Sequence, residues 1–206
     1  SKRENALMYN DGQGYIRYQK GSLIFYALSD YIGEKKLNKA LSKYVQKVAF
    51  QEPPYTTSID LVNHVKEVTP DSLNYLIKDM FETITLYQNR VIESTVSELK
   101  NGKYKVDIEF EVSKYRNNEK GRMFYGNEER DSISYKTDKM KKPQYSVYLS
   151  DYIDIGIFGE DNDENEIELY LKKHKISSIN NKITLIVDKK PVEVGVDPYN
   201  KLIDTN

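Results

Sequence analysis

Apolar residues recur every three to four positions through the first 82 residues, which is the spacing of helices that bury one face. The pattern predicts a helix over residues 15–32 that ends at Gly33, because glycine readily adopts the backbone conformation of a C-terminal cap. It predicts a second helix over residues 34–50, packed antiparallel to the first. The apolar stripe of this second helix comprises Leu37, Ala40, Leu41, Tyr44, Val45 and Val48.

Two further helices are predicted from their start signals. Thr57 is followed three residues later by Asp60, which is the pattern of a capping box. Thr69 followed by Pro70 indicates the start of the next helix, because proline suits the first helical position. Four helices in succession predict a helical bundle.

Near residue 83 the apolar period changes from 3.6 to 2, which indicates strands. The predicted strands cover residues 90–99, 103–115, 144–158, 166–176 and 182–196. Asn101 and Gly102 predict a type I′ hairpin turn between the first two strands. Short connections favour an antiparallel sandwich over a parallel sheet. We therefore expect a multidomain α+β protein, with a helical subdomain at residues 1–83 and a β-sandwich domain at residues 84–206.

Composition and charge exclude several classes of protein. The 206 residues include no cysteine, so disulfides and cysteine-ligated metals are impossible within the chain. The 31 basic and 32 acidic residues give a net charge of -1, which disfavours nucleic acid as a partner. No apolar run approaches the length of a transmembrane helix. The chain is interpreted as a piece of a longer protein.

The usual signatures of enzyme active sites are missing. His64 and His174 are the only imidazoles, and without an H-E-x-x-H pair we predict no metal site within the chain. Residues 161–166 begin like a calcium loop, but Glu166 stands where glycine is required, which favours an acidic hairpin turn. The basic run at residues 136–142 is interpreted as a solvated loop rather than a nucleic-acid patch.

The first helix carries an unusual order of residues. Tyr15 and Tyr18 lie three positions apart and are followed by Lys20 and Gly21. A glycine inside a helix costs about 1 kcal/mol relative to alanine, so its presence indicates a close helix contact or a functional signature. The residues alone leave both explanations open for Gly21, and both packing and function open for Tyr15.

Several segments resemble one enzyme family. The helical half contains, in order, IRYQKGSLIFYAL, YIGEKKLNKALSKYV, PYTTSIDLVNHV and LNYLIKDMF. These resemble the zinc aminopeptidases of the aminopeptidase N and leukotriene hydrolase type, which are gluzincins with a thermolysin-like catalytic domain. LKNGKYKVDIEFEV and VEVGVDPYNKLIDTN resemble the small β-sandwich domain of that family. Taken together, ALMYNDGQGYIRYQKGSL, DMFETITLYQNR and DYIDIGIFGE look closest to a bacterial branch in which the peptidase region follows an ABC-transporter permease-like membrane portion.

The resemblance implies roles for specific residues. It implies that residues 1–83 are the C-terminal half of the catalytic domain, and that the zinc ligands and the water-activating glutamate lie upstream. Tyr18 would donate its hydroxyl to the tetrahedral intermediate, Tyr15 would line the substrate pocket, and Lys20 and Gly21 would complete the structural motif. The chain alone would be inactive and would bind no zinc. Its partners would be the upstream half of the same protein and a peptide substrate, in a soluble domain of a bacterial inner-membrane protein on either side of the membrane.

Two other functions remain open. The parent protein could have lost its zinc ligands and kept the fold as a non-catalytic substrate-binding or docking module of a transporter-associated membrane protein. Alternatively, the chain could be an independent binding protein whose tyrosine-rich sandwich recognises peptide or carbohydrate, since it contains 18 tyrosines and no tryptophan.

Overall fold

The computed structural model describes residues 4–120, 123–124 and 147–205 of the chain. These residues form helices and strands, and the strands make two antiparallel sheets. The chain divides into two compact units. The helical unit contains the described residues up to Thr85 together with Arg116–Phe124, and the sheet unit contains Leu86–Tyr115 together with the described residues from 147 onward. The predicted basic loop at residues 136–142 lies outside the described residues.

The predicted helices are present in the helical unit. Helices α1 to α4 are Gly21–Leu28, Glu34–Val48, Ser58–Val68 and Asn74–Ile77. Helix α1 is flanked by the π-helical turns Ile16–Lys20 and Ser29–Gly33, and α4 by the 3-10 turn Asp71–Leu73 and the π-helical turn Lys78–Glu82, while a further 3-10 turn spans Leu7–Tyr9. Gly33 ends the first helical stretch with φ +91°, a conformation that glycine adopts without the steric cost of a side chain.

Apolar side chains from the helices and their flanking turns form the core of the helical unit. Its buried residues include Ile16, Ile24, Leu28, Leu37, Val62, Val65, Leu76, Ile77 and Phe81. The predicted stripe of α2 is only partly correct. Leu37 and Ala40 are buried, whereas Val45 is exposed, because no other described part of the chain covers the C-terminal half of this helix on that side.

The predicted capping box of α3 is confirmed. The Asp60 carboxylate accepts hydrogen bonds from the Thr57 backbone N–H at 2.8 Å and from the Thr57 hydroxyl at 3.0 Å. These hydrogen bonds, the backbone one first, lower the pKa of the Asp60 carboxyl. The predicted cap at Thr69 is wrong. Its hydroxyl donates to the Val65 carbonyl at 2.8 Å, so it satisfies an end carbonyl of α3 instead of starting the next helix.

The strands belong to two sheets. The first sheet contains β1 (Ile84–Glu98), β2 (Tyr104–Asn117), β3 (Met123–Phe124) and β6 (Asn180–Val187), with β2 pairing with the other three. The second sheet contains β4 (Asp151–Glu160), β5 (Glu166–Ile176) and β7 (Pro191–Val196), in the order β5-β4-β7. The bounds of β5 are those predicted from the sequence.

Several details of the strand prediction are wrong. Strand β1 begins at Ile84 rather than at residue 90, and β4 begins at Asp151 rather than at residue 144. The predicted strand at residues 182–196 is two strands, β6 and β7, which pair in different sheets. The hairpin between β1 and β2 exists but has no type I′ turn. Gly102 has φ +76°, whereas Asn101 is not left-handed, and a type I′ turn needs both. The Leu99 carbonyl instead accepts from the Gly102 N–H at 2.9 Å, as in a type I turn followed by a bulged glycine.

Strand β4 is buried along most of its length and carries two buried carboxylates. Asp151 lies 2.9 Å from the Lys114 ammonium and accepts a hydrogen bond from the Tyr87 hydroxyl at 2.8 Å. Asp154 lies 2.7 Å from the Lys201 ammonium. Each buried charge is therefore compensated, which the cost of transferring a lone ion from water requires.

The last turn of the sheet unit is organised by Asp197. Its carboxylate accepts the backbone N–H of Lys201 at 3.1 Å and that of Leu202 at 2.8 Å. Burial raises the pKa of the Asp197 carboxyl to about 6, although the two backbone donors act in the opposite direction.

Candidate functional site

The π-helical turn Ile16–Lys20 determines where the predicted site residues point. Ile16 and Lys20 are buried in this turn, whereas Arg17 and Tyr18 between them are exposed. Tyr18 is 68% exposed, so its side chain contributes little to the core. Core packing therefore does not require a tyrosine at this position, and the phenol is available for contacts with another molecule.

The Tyr18 hydroxyl has one defined partner. The Arg17 guanidinium donates a hydrogen bond from Nη2 to the Tyr18 oxygen at 3.1 Å, and its central carbon lies 4.6 Å from the centre of the Tyr18 ring. Because the oxygen accepts this bond, its own O–H proton can still be donated to another acceptor. The neighbouring positive charge favours an acceptor that carries negative charge. Arg17 was not identified from the sequence, where its only signal is its position next to Tyr18.

Two further tyrosines are exposed on the same helical stretch. Tyr15 is 39% exposed and immediately precedes the π-helical turn, and Tyr26 in α1 is also exposed. Both predicted tyrosines are therefore exposed to solvent on the first helical stretch.

Lys20 has a different environment from Tyr18. Its side chain is buried, and its ammonium lies 3.0 Å from the Glu4 carboxylate. The Glu4 backbone N–H in turn donates to the Glu119 carbonyl at 3.0 Å. Lys20 thus anchors the N-terminal segment of the helical unit and does not extend beside the Tyr18 phenol.

Gly21 is buried but is not closely packed by the described residues. A Cβ atom at this position would lie 3.8 Å from the Ile16 carbonyl oxygen and 3.8 Å from a Leu7 methyl group, which are ordinary van der Waals distances. The described contacts therefore do not explain why the chain has glycine rather than alanine here.

The two histidines make structural contacts. The His64 Nδ1 atom lies 2.7 Å from the Asp60 carbonyl oxygen, within its own helix. The His174 Nε2 atom lies 2.7 Å from the Tyr170 hydroxyl on the same strand, and burial, followed by the nearby Lys172, lowers the His174 pKa. Across residues 4–120, 123–124 and 147–205, no group of three or more histidine, aspartate or glutamate side chains could hold a metal ion.

The acidic segment at residues 161–166 is a hairpin turn, as predicted. The Asp161 carboxylate accepts the backbone N–H groups of Asp163 and Asn165, each at 2.9 Å. These bonds hold the carboxylate within the turn that joins β4 to β5 and lower the pKa of Asp161, with the Asn165 backbone contributing most.

No protein-family model matches the chain, and a search of curated proteins finds no match. Within the part of the chain that the structure describes, no helix is both long enough and apolar enough to cross a membrane.

Proposed function

We propose that this chain is the C-terminal part of a zinc-dependent aminopeptidase-like protein and that Tyr18 is its oxyanion-stabilising residue. The observation that carries the proposal is the Tyr18 phenol itself, which stands in solvent on the first helical turn and retains a free proton to donate. In this proposal the zinc ligands and the catalytic base belong to the region upstream of Ser1. The parent would be a bacterial inner-membrane protein with a permease-like portion.

The chemistry of peptide hydrolysis gives a phenol at this position a role. Attack on the peptide carbonyl concentrates negative charge on one oxygen, and a neutral O–H donor stabilises that charge more than it stabilises the uncharged substrate. A tyrosine hydroxyl is a neutral O–H donor of this kind. Arg17 next to Tyr18 orients the phenol and adds a positive charge on the same surface.

Exposed apolar side chains support the view that the helical unit contacts another region. Large apolar surfaces of folded proteins that remain uncovered commonly mark interaction sites. On the first helical stretch the exposed side chains of this kind are Tyr15, Tyr18 and Tyr26. We propose that the upstream half of the catalytic domain covers the tyrosine-bearing face of the first helix.

The test compares two tyrosines of the same helical stretch in the longer protein. Hydrolysis of an aminoacyl-4-nitroanilide is measured for a chain that includes the upstream region, with Tyr18→Phe as the test and Tyr26→Phe as the matched control. Loss of one oxyanion donor typically costs about 10² to 10³ in rate, so we expect kcat to fall by that factor in Tyr18→Phe with little change in KM. Tyr26→Phe should retain full activity. Full activity of Tyr18→Phe in an active parent contradicts the catalytic role.

A second function is favoured by the same exposed tyrosines. If the parent lacks peptidase activity altogether, Tyr15 and Tyr18 could grip a peptide as part of a non-catalytic substrate-binding module, because aromatic rings provide contact area at low entropic cost. Fluorescence anisotropy with labelled peptides separates the two functions. Binding that Tyr15→Ala and Tyr18→Ala each abolish, in a parent without hydrolytic activity, supports the binding module.

A further inference from the structure

Helix α2 carries a one-sided concentration of positive charge. Between Glu34 and Val48 it contains five lysines and one glutamate, a difference of four positive charges. The lysines are Lys35, Lys36, Lys39, Lys43 and Lys47. Lys36, Lys39, Lys43 and Lys47 are spaced by three, four and four residues, which places them in one row along the helix. All five are exposed.

This row of lysines, here called the α2 lysine row, has little local compensation. Within the described residues no carboxylate lies within ion-pairing distance of its members. The single glutamate of the helix, Glu34, lies in its first turn, where it accepts a hydrogen bond from Asn38. Lys47 is close enough to Asp60 to affect its carboxyl electrostatically, but Asp60 is also held by the cap of α3. The row therefore presents a strip of positive charge to solvent.

The row ends at an aromatic side chain in an unusual position. Phe50 follows the last turn of α2 and is completely exposed. Its backbone has φ +58°, a left-handed conformation that is uncommon for bulky residues and costs on the order of 1 kcal/mol. In a loop that only faces solvent, nothing would offset this backbone cost or the exposure of the phenyl ring. The combination is expected where the ring inserts into a partner.

The same end of the α2–α3 pair exposes further apolar groups. Tyr55 in the connection and Ile59 in the first turn of α3 are both exposed. The two helix ends are close, since the Tyr44 hydroxyl lies 3.4 Å from the Thr56 hydroxyl. We call Phe50, Tyr55 and Ile59 the apolar tip.

The geometry points to docking of this surface on a bilayer that contains anionic phospholipid. The α2 lysine row would face the lipid phosphates, and the apolar tip would enter the region between the headgroups and the acyl chains. Lysines that flank aromatic and aliphatic side chains are the pattern of interfacial membrane binding. A nucleic acid would match the lysines, but its phosphate backbone offers no apolar environment to Phe50 and Ile59. This inference is independent of the proposed peptidase activity.

Vesicle sedimentation with the 206-residue chain tests the charge requirement. Vesicles of pure phosphatidylcholine are compared with vesicles that contain one third phosphatidylglycerol, at low and high ionic strength. We expect binding to the anionic vesicles alone, weakened by salt because exposed charges are screened. Each lysine near an anionic surface contributes a factor of about five, so Lys39→Gln, Lys43→Gln and Lys47→Gln together should weaken binding on the order of a hundredfold.

A matched variant controls for net charge. Lys103 and Lys182 are exposed lysines of the sheet unit and Lys105 is a half-buried one, and each is paired with a carboxylate. Their combined replacement by glutamine changes the net charge by the same amount and should leave vesicle binding unchanged. Equal loss in both triple variants would show that binding depends on total charge and would overturn the assignment of the surface.

The apolar tip is tested by Phe50→Asn. Asparagine tolerates the left-handed backbone better than phenylalanine, so this variant is expected to fold at least as stably as the wild type. We expect it to weaken binding to anionic vesicles about tenfold, with an unchanged dependence on salt. The proposal is overturned if Phe50→Asn and the combined Lys39→Gln, Lys43→Gln and Lys47→Gln variant both bind anionic vesicles as the wild type does. It is also overturned if the chain binds duplex DNA but does not sediment with anionic vesicles.

Discussion

Replacement of Gly21 by alanine separates the two explanations for this glycine. The residue lies at the start of α1 with φ -59° and ψ -47°, which any amino acid adopts in a helix. The added methyl group would meet the Ile16 carbonyl oxygen and a Leu7 methyl group at 3.8 Å each, so nothing has to move. We therefore expect Gly21→Ala to stabilise the 206-residue chain.

The magnitude follows from backbone entropy and helix propensity. Alanine is favoured over glycine in a helix interior by about 1 kcal/mol, largely because the unfolded glycine has more conformational freedom. For a urea dependence of about 2 kcal/mol per molar, this gain raises the unfolding midpoint by about 0.5 M. The far-UV circular dichroism signal at 222 nm, followed in a urea titration, measures the shift.

Gly33→Ala provides the matched control. The substitution is chemically the same and lies at the end of the same helical stretch, but Gly33 has φ +91°, which is strained for any residue with a side chain. It should therefore destabilise the chain by about 1 to 3 kcal/mol. Destabilisation by Gly21→Ala as well would refute the reasoning, because it would mean that the chain packs against Gly21 more tightly than 3.8 Å. In the longer protein, a stable but inactive Gly21→Ala variant would support contact with the upstream half.

Other predictions concern buried charges of the sheet unit. The Asp197 pKa of about 6 exceeds its unfolded reference of 3.8, so its contribution to stability is complete at low pH and is lost as pH rises through 6. The lowered pKa of His174 makes stability change with pH in the opposite direction. The test therefore measures the difference in unfolding free energy between the wild type and Asp197→Asn in urea titrations. This difference in unfolding free energy should change by about 1 kcal/mol between pH 5 and 7, and a constant difference contradicts the assignment. Lys114→Met leaves the buried Asp151 without its cation and should destabilise the chain by about 3 to 5 kcal/mol, whereas Lys182→Met at an exposed pair should barely move the midpoint.

Local signals in the sequence predicted the elements with local causes. The capping box at Thr57 and Asp60 and the helix end at Gly33 were predictable because both satisfy backbone requirements within a few residues. The bounds of β5 followed from its alternating pattern. Thr69 shows the limit of such signals, since its hydroxyl can satisfy either the helix before it or the one after it, and the structure selects the first.

The candidate site was predictable in part. The order of Tyr15, Tyr18, Lys20 and Gly21 singled out the first helix, and the structure places both tyrosines at its surface. The ion pair between Lys20 and Glu4 could not be predicted, because it joins residues 16 positions apart through the fold of the N-terminal segment. The catalytic role of Tyr18 stays a prediction.

The sequence by itself determined the succession of helices and strands, their start and stop signals and which residues could take part in chemistry. Each of these features depends on neighbours along the chain. Only the tertiary structure decided that residues 182–196 divide between two sheets, that β4 buries Asp151 and Asp154 beside distant lysines, and that Phe50 stands in solvent. The physical reason is that burial and pairing are properties of groups brought together from distant parts of the chain. A hydrophobic period indicates which face can be buried, but not what covers it.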